Sequence, residues 1–93
     1  MSQEQRMDAI VYGIVQGVGF RWWVREQARW LGLTGYVRNR YNHTVEVVAE
    51  GTERDLRSLL SLLEQGPSAA VVDHVDVQWR PSSGNFTGFE VRY

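Results

Sequence analysis

The chain has 93 residues, 43% of them hydrophobic and 23% charged, with a net charge of −1. That describes one globular domain with a single core, and it gives no global electrostatic pull toward nucleic acid or an anionic membrane. All ten basic residues are arginine and cysteine is absent, which excludes lysine Schiff bases, a Walker-type phosphate lysine, thiolate nucleophiles, disulfides and cysteine metal sites.

Residues 1–6 are expected to form a short N-terminal tail ahead of a domain spanning 7–93. The tail has no apolar signal region, and no run approaches the ~18 apolar residues of a membrane span. Cytoplasmic location is the expectation, with no membrane and no nucleic acid as partner. Residues 7–15 are rich in β-branched and aromatic residues and read as a strand. A glycine-rich stretch follows, Gly13-Ile-Val-Gln-Gly-Val-Gly-Phe-Arg21. A helix is predicted over 21–31, with Phe20, Val24, Ala28 and Leu31 as its apolar stripe and Gly32 as its C-terminal cap.

Residues 34–40 read as a second strand with Val37 and Asn39 on one face. A hairpin at Tyr41-Asn-His43 follows, where Asn42 is expected to take the left-handed conformation. In the third strand, residues 44–50, Val45, Val47 and Ala49 alternate with Glu46, Val48 and Glu50. The Glu46/Glu50 face is expected to be solvated. The second helix opens with Thr52 as N-cap, Asp55 three residues on as a weaker capping box, and ends at Gly66-Pro67. Its stripe is Leu56, Leu59, Leu60 and Leu63. Val71, Val75, Val77 and Trp79 mark a fourth strand, ended by Pro81-Ser-Ser-Gly84. Phe89, Val91 and Tyr93 suggest a short fifth. Trp22, Trp23 and Trp30 are expected to pack in the core and rim around the first helix.

The order β-α-β-β-α-β with a short C-terminal strand predicts an α+β, ferredoxin-like sandwich: a mainly antiparallel sheet with two helices on one face. In that topology the first two strands are parallel without being neighbours. Their C-terminal ends emerge at one edge of the sheet, so the glycine loop and Asn39 should meet.

The loop has two readings. It is either a tight turn whose glycines relieve strand-to-helix strain, with Arg21 in solvent, or an anion cradle. As a cradle it would use backbone N–H groups of Gln16, Gly17, Val18, Gly19 and Phe20, the helix N-terminus and the Arg21 fork. Familiar phosphate fingerprints fail: Trp22 stands where a third glycine of a dinucleotide loop would be, and Val15 where a phosphatase cysteine would be. A cradle with neither cysteine nor aspartate forms no phosphoenzyme on the loop, which leaves water as nucleophile. Asn39 is the geometric candidate to hold that water, against the alternative of a turn asparagine bonded to its own backbone. No general acid stands beside the loop, so a leaving group that departs unprotonated, such as a carboxylate, suits the constellation. Two isolated histidines, His43 and His74, predict no metal site.

The loop together with Gly35-Tyr-Val-Arg-Asn39 closely resembles the acylphosphatase family, whose motifs read approximately G-x-V-Q-G-V-x-F-R and G-W/Y-V-R-N. The resemblance extends to Gly66-Pro67 and Phe86-Thr-Gly-Phe89. It implies a small hydrolase that converts acyl phosphates to carboxylate and inorganic phosphate without metal or cofactor. It also implies Arg21 binding the phosphate, Asn39 orienting water and the amides of Gln16 to Phe20 completing the cradle. The expected partners are the substrate and product alone, with the protein a monomer. Asn42-His43 and Arg40 depart from common family residues at the rim. The alternatives are a non-catalytic module of the kind found within hydrogenase-maturation proteins, and a ferredoxin-like RNA-binding module. The acidic third strand and the negative charge oppose the latter.

Overall fold

The computed structural model describes residues 4–93. Its elements are β1 (Glu4–Ile14), α1 (Phe20–Trp30), β2 (Thr34–Asn39), β3 (Val45–Thr52), α2 (Glu53–Gln65), β4 (Val71–Pro81) and β5 (Phe89–Arg92). The five strands form one sheet in the order β4-β1-β3-β2-β5, and only the β2–β5 pair is parallel. Both helices contribute to the core against one face of this sheet, the ferredoxin-like α+β arrangement.

β1 begins three residues before the predicted strand start. Glu4, Gln5 and Arg6 pair with Thr52, Gly51 and Glu50, and Gln5 and Arg6 also pair with Pro81 and Arg80. Those polar residues carry no strand signal of their own; two long neighbours recruit them. Residues 1–3 of the expected tail lie outside the described residues.

The core follows the two predicted periodicities. Met7, Ala9 and Val11 of β1 and Val45, Val47 and Ala49 of β3 face Phe20, Val24 and Ala28 of α1 and Leu56, Leu59 and Leu63 of α2, all buried. α2 starts as its sequence predicts: Thr52 Oγ1 accepts the Asp55 N–H at 3.3 Å. The Asp55 carboxylate accepts from the Thr52 hydroxyl at 3.0 Å rather than reaching the Thr52 backbone.

Three expectations fail. Trp22 and Trp30 are 55% and 88% exposed, and of the three tryptophans only Trp23 packs on the core, tilted against Phe20. The left-handed hairpin residue is His43, at φ 70°; Asn42 instead accepts from the Thr44 N–H and hydroxyl through Oδ1. That is the asparagine turn in which the side chain stands in for a backbone carbonyl. The third concerns the acidic face of β3, which is not a solvated surface along its length. Glu50 is 2% exposed and Val48 is 1% exposed. The segment 82–88 must carry the chain from β4, at one edge of the sheet, to β5 at the other. It crosses the face opposite the helices, where Ser82, Ser83 and Gly84 bond to Glu50 and Phe86 packs against Tyr36.

Candidate functional site

The connection from β1 to α1 is short and left-handed at alternate positions. Gly17 and Gly19 have φ of 74° and 76°, while Val18 between them does not. Alternating the sign of φ turns successive N–H groups toward one concavity, the arrangement of an anion-binding nest. A Cβ at either glycine would meet no atom within 4 Å, so the loop lies open on that side. Among the described residues the N–H groups of Gln16 through Gly19 make no backbone hydrogen bond.

The start of α1 differs in kind from the start of α2. α2 has Thr52 as a side-chain cap that accepts the Asp55 N–H, and Glu53 and Asp55 in its first turn, whose charges oppose its positive end. α1 has Gly19 as N-cap, no side-chain cap bond and no acidic residue in its first turn. Arg21 sits there instead, an arrangement the helix dipole disfavours by about 0.3–1 kcal/mol unless an anion joins it. Among the described residues Arg21 has no carboxylate partner; its guanidinium lies 4.7 Å from the centre of the Tyr93 ring.

Asn39 ends β2. In the register of the sheet Asn39 pairs with Val45, and Val45 pairs on its other side with Val11 of β1. Asn39 therefore stands level with Val11, three residues before the end of β1, two strand spacings (about 10 Å) across the sheet. Its Oδ1 is buried with no hydrogen-bond partner, the sole such side-chain atom among the described residues. Leaving a buried acceptor unsatisfied costs about 1–3 kcal/mol, so the atom marks a place where a donor belongs.

The loop and the hairpin after Asn39 are in direct contact. Gln16 Nε2 donates to the carbonyl oxygens of Arg40 and Thr44 at 2.7 and 2.9 Å. The sequence pointed to Gln16 only as a backbone donor. Its signal was its character: one long polar side chain in a loop otherwise of glycine and apolar residues. Arg38, which precedes Asn39, ion-pairs with Glu46 across the strands, and that pairing raises its guanidinium pKa further.

A surface cavity of about 270 Å³ lies beside β5, lined by Arg29, Thr87, Glu90 and Arg92 among others. It shares no residue with this cluster, which is defined by chemistry rather than by depth. Among the described residues no three of His, Asp and Glu gather as a metal site, and no helix is long and apolar enough to cross a membrane.

A two-helix α+β sandwich with an uncapped, glycine-wrapped helix N-terminus beside an arginine has the geometry and charge that suit an anion. The comparisons narrow that reading. The acylphosphatase family profile matches residues 7–91. An acylphosphatase of Rhodococcus jostii is 49% identical over 88 residues, covering 95% of this chain and 99% of that protein. One of Caldivirga maquilingensis is 50% identical over 94 residues, covering 100% and 99%. The crystal structure of acylphosphatase from Bacillus subtilis superposes with a TM-score of 0.92 at 35% identity, covering 96% of this chain and 99% of that one. The chain belongs to the acylphosphatase family of hydrolases.

Proposed function

We propose that the protein hydrolyses the carboxyl–phosphate bond of acyl phosphates by direct attack of water on phosphorus, without a metal. The N–H groups of Gln16, Gly17, Val18, Gly19 and Phe20 and the Arg21 guanidinium bind the phosphoryl oxygens. Asn39 Oδ1 accepts a hydrogen bond from the attacking water and so directs an oxygen lone pair at phosphorus. Water's oxygen forms the new P–O bond as the bond to the acyl oxygen breaks, the carboxylate leaves with that electron pair, and both water hydrogens stay with the phosphate, one passing to a phosphoryl oxygen to give dihydrogen phosphate. The departing carboxylate needs no proton, which suits a site with no acid in the loop.

The observation that carries the reading is the contrast between the two helices: α2 is capped and acid-neutralised, whereas α1 is uncapped, acid-free and bears Arg21. Phosphoryl transfer through a loose transition state asks for this charge stabilisation and for positioning more than for covalent chemistry. The unsatisfied Oδ1 of Asn39 supports the water-holding role.

The test is a split in two variants. Arg21→Ala weakens inhibition by inorganic phosphate together with turnover. Asn39→Ala lowers kcat by about 10²–10³-fold, on the scale of a lost oxyanion donor, and leaves phosphate inhibition nearly unchanged. Equal loss of both functions in Asn39→Ala reassigns that residue to phosphate binding.

A further inference from the structure

The reaction proposed above needs two parts of the chain, distant in sequence, to hold a fixed separation: the cradle and Asn39. The Gln16 side chain joins them. Its amide nitrogen has two hydrogens and two acceptors, the Arg40 carbonyl at 2.7 Å and the Thr44 carbonyl at 2.9 Å. Because both acceptors are carbonyl oxygens, the amide fits only with its nitrogen toward them. Arg40 and Thr44 also close the hairpin on themselves: the Arg40 N–H donates to Thr44 O at 2.9 Å, and the His43 N–H to Arg40 O at 3.2 Å. Arg40 follows Asn39 directly, and Thr44 directly precedes Val45, the residue paired with Asn39 across the ladder. The amide thus grips both strands one residue beyond the Asn39 pair.

We infer that Gln16 is a positioning residue: acting through the hairpin, its side chain sets the separation between Asn39 and the phosphoryl group in the cradle. The inference rests on the functional reading of the preceding subsection. Phosphate is held there by loop N–H groups and Arg21, not by this side chain, so the geometry it controls is that of the attacking water. A displacement of about 1 Å at a reacting centre can cost on the order of 10²-fold in rate.

The experiment compares Gln16→Met, which keeps length and removes both donors, with Gln16→Glu, which recovers one donor when protonated. kcat and KM for acetyl phosphate and the inhibition constant of inorganic phosphate are measured for each, alone and combined with Asn39→Ala. Gln16→Met lowers kcat by about 10–100-fold, shifts phosphate inhibition less than about 2-fold, and adds little once Asn39 is already alanine, as expected for two residues acting as one unit. Gln16→Glu regains kcat relative to the parent protein as the pH falls. Unchanged kcat in Gln16→Met, full additivity with Asn39→Ala, or a phosphate inhibition that weakens as much as kcat falls would each overturn the inference. If neither variant folds, the side-chain amide protons of Gln16 in the parent protein decide: slow hydrogen exchange supports the clamp, and exchange at the rate of a free amide overturns it. Failure of the parent protein to hydrolyse acetyl phosphate is a different result, which overturns the functional reading and this inference with it.

Discussion

Replacing Glu50 by glutamine should destabilise the fold by about 2–4 kcal/mol while barely changing its shape. Glu50 Oε1 accepts from the Ser82 hydroxyl and the Gly84 N–H, each at 3.0 Å. Oε2 accepts from the Ser83 N–H at 2.9 Å and the Ser83 hydroxyl at 2.6 Å. Glutamine turns one oxygen into an NH₂ group, whichever way it sits. A hydroxyl facing that group can rotate and accept, but a backbone N–H cannot, so one is left buried without an acceptor at about 1–3 kcal/mol. The two remaining bonds lose their ionic acceptor, at roughly 1 kcal/mol each, and removing a buried charge offsets part of this. At about 4–8 °C per kcal/mol for a domain of this size, the melting temperature falls by about 8–32 °C.

The same pin has a pH signature. Burial pushes the Glu50 carboxyl up, but the bonds from Ser83, Gly84 and Ser82 outweigh it and leave the group below its ordinary value of 4.5. A carboxyl depressed in the folded state contributes stability that is complete above its unfolded pKa and is lost as the pH falls through the folded one. Stability of the parent protein should therefore decline below about pH 4.5, and Glu50→Gln should lack that part of the decline. Thermal and denaturant unfolding from pH 3 to pH 7 measures both. A glutamine variant within about 0.5 kcal/mol of the parent at neutral pH, or one with an identical acid profile, refutes the argument.

Tyr93→Ala should weaken phosphate inhibition by about 2–5-fold, since an exposed cation–π stack contributes about 0.5–1 kcal/mol to holding Arg21 in place. Tyr93→Phe, which keeps the ring face, should match the parent, and tighter inhibition in the alanine variant would show that the stack competes with phosphate. Gly35→Ala places a Cβ 1.9 Å from the Val48 carbonyl oxygen in the neighbouring strand, so denaturant unfolding should show a loss of about 4 kcal/mol or more. Gly17→Ala meets no neighbour and should cost only the left-handed strain of about 1–2 kcal/mol. A reversed ranking would refute the packing argument.

Local chemistry was legible in the sequence where the structure is locally determined. Thr52 and Asp55 mark the start of α2 because a cap is satisfied within four residues, and the buried residues of both helices follow their apolar stripes. That the loop lies beside the end of β2 was legible from topology alone, since two parallel strands flanking a third must end on one edge, and the Gln16 side chain meets Arg40 there. What stayed hidden depends on partners far along the chain. The Gln16 amide meets carbonyls 24 and 28 residues away. Glu50, in an alternating strand that reads as half-solvated, is buried by a segment 32 to 34 residues later. Tyr93 reaches Arg21 only because β5 lies alongside β2 at the sheet edge. Trp30 misled for the opposite reason: a large apolar side chain suggests core, yet it stands off the buried stripe of α1.

The central claim is that water attacks phosphorus while the carboxylate leaves intact. Hydrolysis of an acyl phosphate in ¹⁸O-labelled water with excess chelator tests it most directly, by mass analysis of both products. Turnover should persist, with one labelled oxygen in inorganic phosphate and none in the carboxylate. Label in the carboxylate would place the attack on the carbonyl carbon and contradict the roles given to Arg21 and Asn39, and turnover that ceases with chelator and returns with added metal would contradict a site built from the chain alone.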